Sequence, residues 1–218
     1  MVAYNHAPYV IETLESIRRQ TVPPVRVLIA DDASPGDGTA EVIRRWLADA
    51  PSSFEFHPNA INMGLNPTLN RLLAKVDTEF VTYIAGDDTM REDRIAIHED
   101  LLRTAPDDVV LAYSDAVVID ENSSVLHPSS RIEFPWPDEP RRSEDTLACL
   151  IESNWIPAAS FFMRTAVLRE KGATPRTSST RTSSSSPVWR RDIASPTRRS
   201  PLLPSGADNL SGHSGVRA

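Results

Sequence analysis

Two pairs of adjacent aspartates stand where chemistry is easiest to place. Asp31–Asp32 follows the apolar run "VRVLIA", and Asp87–Asp88 follows "YIAG". A single Asp pair is well explained as a turn or a helix cap, both of which favour aspartate. Two pairs, each directly after an apolar strand, point instead to a site, because open α/β sheets bind ligands outside the carboxyl ends of their strands. Clustered carboxylates repel one another and any anionic ligand unless a hard divalent cation sits between them. Mg²⁺ or Mn²⁺ does this, bridging one or two carboxylates to substrate phosphates. The chain has no GxxxxGK[ST] loop and no GxGxxG after a strand, so neither a P-loop nor a dinucleotide fold accounts for the pairs. The chemistry that fits is a nucleotide held through a metal.

The elements that must position these acids alternate along the chain. "MVAYNHAPYVIETLESIRRQ" runs from a strand stub into a helix whose inner face carries Val10, Leu14 and Ile17. Val25, Val27, Leu28, Ile29 and Ala30 form a nearly continuous apolar strand, the pattern of a parallel strand covered on both faces. A second helix turns Val42, Ile43, Trp46 and Leu47 inward. "SFEFHPNAINMG" reads as a short strand and loop, "NPTLNRLLAKV" as a helix, and "EFVTYIAGDDTM" as a strand ending at Gly86. A helix through "REDRIAIHEDLLRTA" and the strand "DVVLAYSDAVVID" follow. Residues 121–142 are Pro-rich and irregular. A last helix spans about 144–153, with Ser143 as its cap and Glu144 and Asp145 in its first turn. This alternation predicts an α/β fold with a mainly parallel central sheet and helices on both faces.

Composition divides the chain. Residues 173–218 hold seven Arg, two Asp and neither Lys nor Glu, a net of +5; the whole chain carries −7, so residues 1–172 carry −12. An acidic domain of residues 1–172 thus precedes a basic Ser/Thr/Arg/Pro-rich tail of residues 173–218, which reads as disordered because it has little apolar surface to bury. Cys149 is the sole cysteine, so an intrachain disulfide is ruled out. No run approaches the length of a membrane span, and no signal-peptide pattern opens the chain. The expectation is a cytoplasmic protein, with peripheral contact at the inner face of the membrane left open. The five histidines lack H-E-x-x-H spacing, and the Arg-rich tail lacks aromatic interleaving, so zinc chemistry and nucleic-acid binding are not expected. Trp46 and Trp155 read as core or pocket-wall residues.

Taken together, "AYNHAPYVIETLESIRRQT", "VLIADDASPGDGT", "NMG" and "FVTYIAGDDTMREDRI" resemble, in order and spacing, the nucleotide-binding half of family 2 glycosyltransferases with the GT-A fold. The resemblance covers about residues 2–172. It implies a UDP- or dTDP-sugar donor and an acceptor hydroxyl on a glycan, a lipid-linked molecule or a protein. Tyr4 and Asn5 would line the nucleoside pocket. Asp32 would hydrogen-bond the base, with Asp31 supporting that turn, and Asn62 and Gly64 match the N-x-G turn beside the nucleotide. The family's Arg-Asn pair is replaced here by Leu69–Asn70. Asp87 and Asp88 match the D-x-D metal site in a shorter G-D-D form, with Gly86 at the first Asp position and Asp88 as the direct contact to metal or ribose. Asn154, Trp155, Pro157 and Ser160 match the acceptor-side segment. Mg²⁺ or Mn²⁺ is the implied cofactor, and inversion with an Asp or Glu base is the implied mechanism.

That base belongs in a Glu-Asp motif shortly beyond "REKG", where this chain reads "ATPRTSSTRTS". One permitted set of codons for that string, read one base earlier, gives Gly-Tyr-Ala-Glu-Asp-Leu-Val-Tyr-Glu-Asp-Phe. The expectation is therefore a frameshift near Gly172, in the gene or its recorded sequence, that replaces the base-bearing end. The opening strand, with only Val2 and Ala3, reads as clipped. Glu144–Asp145 precedes the acceptor segment and does not substitute for the base. Two outcomes follow from the resemblance: a transferase, or a catalytically dead fragment that at most binds nucleotide. A receiver-type phospho-acceptor domain is the rival outside the family. It needs a Lys ending a later strand, and the chain's only lysines, Lys75 and Lys171, are not so placed.

Overall fold

The protein is described here from a computed structural model, which defines residues 1–171, 190–193 and 215–217. Its elements are β1 (Val2–Ala3), α1 (Val10–Arg18), β2 (Val27–Asp31), α2 (Thr39–Leu47), β3 (Phe54–Phe56), α3 (Leu65–Leu73), β4 (Phe80–Thr82), β5 (Thr89–Met90), α4 (Arg94–Thr104), β6 (Val109–Ala112), β7 (Val117–Ile119) and β8 (Val125–His127). They continue with α5 (Glu139–Glu144), α6 (Thr146–Glu152), β9 (Phe162–Arg164), α7 (Thr165–Lys171), β10 (Arg190–Ile193) and β11 (Gly215–Arg217).

The sheet that matters for the site runs β3–β2–β1, all parallel, and a parallel bridge between Val2 and Ala85 joins β1 to the chain leaving β4. From β4 outward the pairs β4–β9, β9–β6 and β6–β11 are antiparallel. A second sheet has the order β5–β10–β7–β8.

Side chains alternate across the parallel part, as the period of two in a strand requires. Ala3, Val27 and Ile29 face Val10, Leu14, Ile17 and Ile43 of α1 and α2. Val2, Leu28 and Ala30 face Leu69 and Leu72 of α3. Helices therefore cover both faces, which is why β2 reads as a continuous apolar run. Each fully buried Val, Leu or Ile contributes about 1.5–3 kcal/mol through its removal from water.

Several local expectations change. The strand begins at Val27; Val25 lies before it and is 76% exposed. "EFVTYIAGDDTM" is not one strand: regular pairing covers Phe80–Thr82, and Thr89–Met90 pairs elsewhere. "DVVLAYSDAVVID" divides into β6 and β7, which join different sheets. Residues 121–142 contain β8, a 3₁₀ turn at Ser130–Ile132 and the start of α5. The cap near residue 144 is Asp145, whose carboxylate accepts the Ala148 N–H at 2.9 Å; Ser143 lies inside α5. Of the tail, only β10 and β11 are described, and the expected site of the catalytic base lies outside the described residues.

The Met1 amino group is buried and donates to the Leu28 carbonyl at 2.8 Å, and burial pushes its pKa down to about 5. The unfolded chain, with an ordinary value of 8.0, binds more protons at this site between those limits. Stability from this group is complete above pH 8 and is lost as pH falls through about 5. Urea unfolding followed from pH 8 to pH 5 should show a falling midpoint, with a shallower fall for the Nα-acetylated chain.

Candidate functional site

Three parallel segments end side by side. The Asp32 N–H donates to the Ala3 carbonyl at 2.9 Å, and the Gly86 N–H donates to the Val2 carbonyl, also at 2.9 Å. Tyr4–Asn5, Asp31–Asp32 and Asp87–Asp88 therefore emerge from one end of the sheet. The sequence-predicted donor-side residues are brought together by two residues of β1.

Each carboxylate has a distinct task. Asp31 is buried and accepts both the Ser34 hydroxyl and its N–H, and the same hydroxyl accepts the Asn5 N–H at 2.9 Å. Asp31 thus supports the turn and, through Ser34, holds Asn5, whose φ of 57° lies in the left-handed region. Asp32 does more than face a ligand. Its Oδ1 accepts from Asn59 Nδ2, the Met63 N–H at 2.9 Å and Thr68 Oγ1 at 3.0 Å, and its Oδ2 accepts the Gly64 N–H at 2.8 Å. A carboxylate offers about four acceptor positions. Asp32 is the internal anion on which the Asn62–Gly64 turn and the start of α3 are hung, and its remaining acceptor capacity lies on Oδ2. Gly64 adopts φ 84° and ψ 164°, which a residue with a Cβ rarely reaches. Asn62 is exposed at the tip, and Leu69 packs into the apolar cluster under the sheet.

Gly86 explains the shortened acidic motif. A Cβ there would lie 2.8 Å from Ala3 Cβ and 2.9 Å from His6 Nδ1. No Asp fits while β1 and the chain after β4 stay this close. Beyond it, Asp88 is 8% exposed and Asp87 lies beside His6, with Oδ2 3.6 Å from Nε2. Among the described residues, no group of three or more His, Cys, Asp or Glu side chains is arranged to hold a metal ion. Asp87 and Asp88 offer two hard oxygen donors, which matches what Mg²⁺ or Mn²⁺ takes from a protein when substrate phosphates and water complete its shell.

Sequence reasoning missed His6 and Arg94. The loop after β1 is tied to α2, with the His6 N–H on Thr39 Oγ1 at 3.0 Å and the Ala7 N–H on Asp37 at 3.1 Å. Burial pushes the Asp37 carboxyl up, but bonds from Thr39 and Ala7 outweigh it and leave the group below its ordinary value. Arg94 is fully buried. It donates to Thr82 Oγ1 and the Ala159 carbonyl at 2.8 Å each, and to the Phe161 carbonyl at 3.3 Å. Burial lowers its pKa to about 10 against the opposing charge of Asp88. The available signal was its spacing: Arg94 and His98 fall at i, i+4 on the inner stripe of α4.

Arg94 carries the acceptor-side segment to the donor strand. Trp155, Pro157 and Ser160 are buried wall residues, with Trp155 packed against Tyr113 and Trp136, while Asn154 is exposed. Arg94, bonded to the Ala159 and Phe161 carbonyls and opposed by the charge of Asp88, is the described link between this segment and the acidic end of the sheet.

Residues 1–169 match the family described as Glycosyl transferase family 2. The chain belongs to that family. A Bacillus subtilis (strain 168) protein named "Putative glycosyltransferase EpsH" is 30% identical over 112 residues, covering 51% of this chain and 30% of its own. Among solved structures, the mannosyltransferase PcManGT from Pyrobaculum calidifontis, in complex with GDP-Man and Mn²⁺, superposes with a TM-score of 0.56 at 21% identity. That likeness covers 80% of this chain and 46% of PcManGT. S. aureus TarS 1–349 in complex with UDP gives a TM-score of 0.52 at 18% identity, covering 81% and 49% of the two chains. The chain thus spans less than half the length of each of these proteins, and the two structures establish the shared GT-A fold. The receiver reading is set aside by the family match.

Two substitutions test this construction. Gly86→Ala should destabilise by about 1–3 kcal/mol, the cost of forcing volume into a close approach, as measured by urea unfolding. Asp32→Ala should cost about 1–3 kcal/mol, since the buried Thr68 hydroxyl and the part-buried N–H groups of Met63 and Gly64 lose their acceptor.

Proposed function

We propose that this glycosyltransferase chain binds a nucleoside diphosphate sugar at the common end of β2, β1 and β4 and is built for metal-assisted, inverting transfer to an acceptor hydroxyl. The observation that carries the reading is the convergence of Tyr4–Asn5, the Asp31–Asp32 turn and Asp87–Asp88 through the two-residue strand β1. Tyr4, which is 41% exposed, offers a ring face to a nucleoside, and Asn5 and Asn62 offer amides at the rim. The free acceptor position on Asp32 Oδ2 suits a base N–H. The complexes of the structural neighbours with GDP-Man and UDP support a nucleotide-linked donor.

Asp87 and Asp88 would hold Mg²⁺ or Mn²⁺ against the diphosphate. A bound divalent cation supplies Lewis-acid stabilisation of the charge that develops on the leaving group. The chain's own residues orient the donor, with Gly86 letting the Asp87–Asp88 turn lie against β1, and Arg94 fixes the acceptor wall beside it. Removal of the acceptor proton requires a general base within reach of that hydroxyl, which the family resemblance makes a carboxylate. Asn154–Ser160 contains none, and this favours a second reading, in which the chain binds donor nucleotide without turnover.

Calorimetry with UDP, dTDP and GDP tests the donor site. One of these should bind in the presence of Mn²⁺, and Asp88→Asn should weaken that binding by about tenfold or more, since a charge-assisted contact is lost. Absence of binding by all three with Mn²⁺ and with Mg²⁺ overturns the proposal. Turnover by this chain, compared with a chain carrying the Glu-Asp motif after Gly172, separates the two readings.

A further inference from the structure

The residues assigned to the donor side carry little positive charge. Asp31, Asp32, Asp87 and Asp88 are acids, and Tyr4, Asn5, Asn62 and Gly64 are neutral. His6, beside Asp87, is a cation only when protonated. A nucleoside diphosphate entering here meets carboxylates that repel it, while a divalent cation meets carboxylates that attract it. Any fixed charge next to the acids therefore acts on these two ligands with opposite sign.

One permanent cation is buried beside the acids. Among the described residues the buried arginines are Arg94 and Arg142. Arg142 packs against Trp136 and Trp155 and pairs with Glu139. Arg94 instead has an acid of the site, Asp88, as its opposing charge. Its guanidinium is used on one side only. The bonds to Thr82 Oγ1 and to the Ala159 and Phe161 carbonyls all come from Nη2, whereas Nε and Nη1 are buried without a hydrogen-bond partner. A neutral amide could donate the Nη2 bonds without the desolvation cost of a buried guanidinium. Holding the segment before β9 thus accounts for the donors and not for the charge. A charge fixed inside the protein is little screened by salt, so it acts on what lies near it.

We propose that Arg94 is an electrostatic positioning residue of the donor site: its fixed charge weakens binding of a divalent cation alone at Asp87–Asp88 and strengthens binding of a nucleoside diphosphate alone, so that the two ligands enter together. The inference rests on the donor-site reading given above. A divalent cation bound by itself would share Asp88 with Arg94 and leave a buried guanidinium short of counter-charge. A diphosphate supplies the negative charge that balances both cations.

The test uses the full chain, with Mn²⁺ binding followed by electron paramagnetic resonance and metal-free UDP, dTDP or GDP binding followed by calorimetry in EDTA. Arg94→Gln keeps amide donors and removes the charge. It should bind Mn²⁺ alone about fivefold more tightly, and metal-free nucleotide about fivefold more weakly, than the unmodified chain. Arg94→Lys should match the unmodified chain in both. So should Arg103→Gln, an equal change of charge at an exposed position of α4. A purely structural role would weaken both ligands together, which makes the opposite signs the decisive readout. Where Arg94→Gln does not fold, Arg94→Met takes its place, because an apolar side chain of like volume often replaces a buried charge without loss. The proposal is overturned if both ligands weaken, if neither changes, or if Arg103→Gln gives the same pair of shifts. Failure of both neutral variants to fold while Arg94→Lys folds assigns Arg94 to structure alone and overturns it too. If the unmodified chain binds none of the three nucleotides with Mn²⁺ or Mg²⁺, the donor-site reading falls and this inference falls with it; binding with the wrong signs sinks this inference alone.

Discussion

The candidate site depends on how closely one very short strand lies between two longer ones. Val2 bonds to both the Ile84 carbonyl and the Gly86 N–H, and Ala3 accepts the Asp32 N–H, so β1 fixes the relative height of both acidic turns. That closeness is possible only because the facing residues are an alanine and a glycine. A larger side chain at either position would separate the strands, and every donor-side residue would move with them. The shortened acidic motif is a consequence of this packing: the position at which a first Asp would stand is occupied by the flank of β1.

Around this seam the carboxylates divide into two kinds. Asp31 and Asp32 are spent largely on the protein, one holding the turn that carries Ser34 and Asn5, the other gathering Asn59, Met63, Gly64 and Thr68 about a single buried anion. A buried carboxylate tied to several N–H and O–H donors is an economical way to fix a loop, because the charge is balanced by dipoles that point at it. Asp87 and Asp88 come after the glycine, where β4 has ended and the chain turns before β5. The first pair shapes the loops around the sheet end, and the second lies on the turn beyond Gly86.

Much of this was legible because it rests on local pattern. The apolar run of β2, the stripes of α1 and α2, and the acidic pairs at strand ends all follow from period and position. What sequence left hidden depends on partners far along the chain. Asp32 looks like a ligand contact until Thr68 and Gly64 are folded onto it. Arg94 looks like a surface residue of an acidic helix until the carbonyls of Ala159 and Phe161 arrive. Strand breaks are hidden for a related reason: within "EFVTYIAGDDTM" the pairing partner changes at Ala85, from β9 to β1, and no local signal in "FVTYIA" marks the exchange. The cap at Asp145 was misplaced by two residues, which is the scale on which helix ends respond to a single side-chain bond.

Arg94 shows how the segment before β9 is fixed to the acidic end of the sheet. A buried guanidinium is costly to desolvate and is retained only when its bonds and neighbouring charges are good. Here three of those bonds join β4 to the segment just before β9, and Asp88 supplies the opposing charge. Removing that segment would strand a cation inside the domain, so Arg94 binds the segment before β9 to the donor half. The acidic strand ends and the segment before β9 are therefore tied together by bonds that all lie before Gly172. The side chains that build the candidate site all precede the point at which the composition changes, so its geometry rests on the acidic part of the chain.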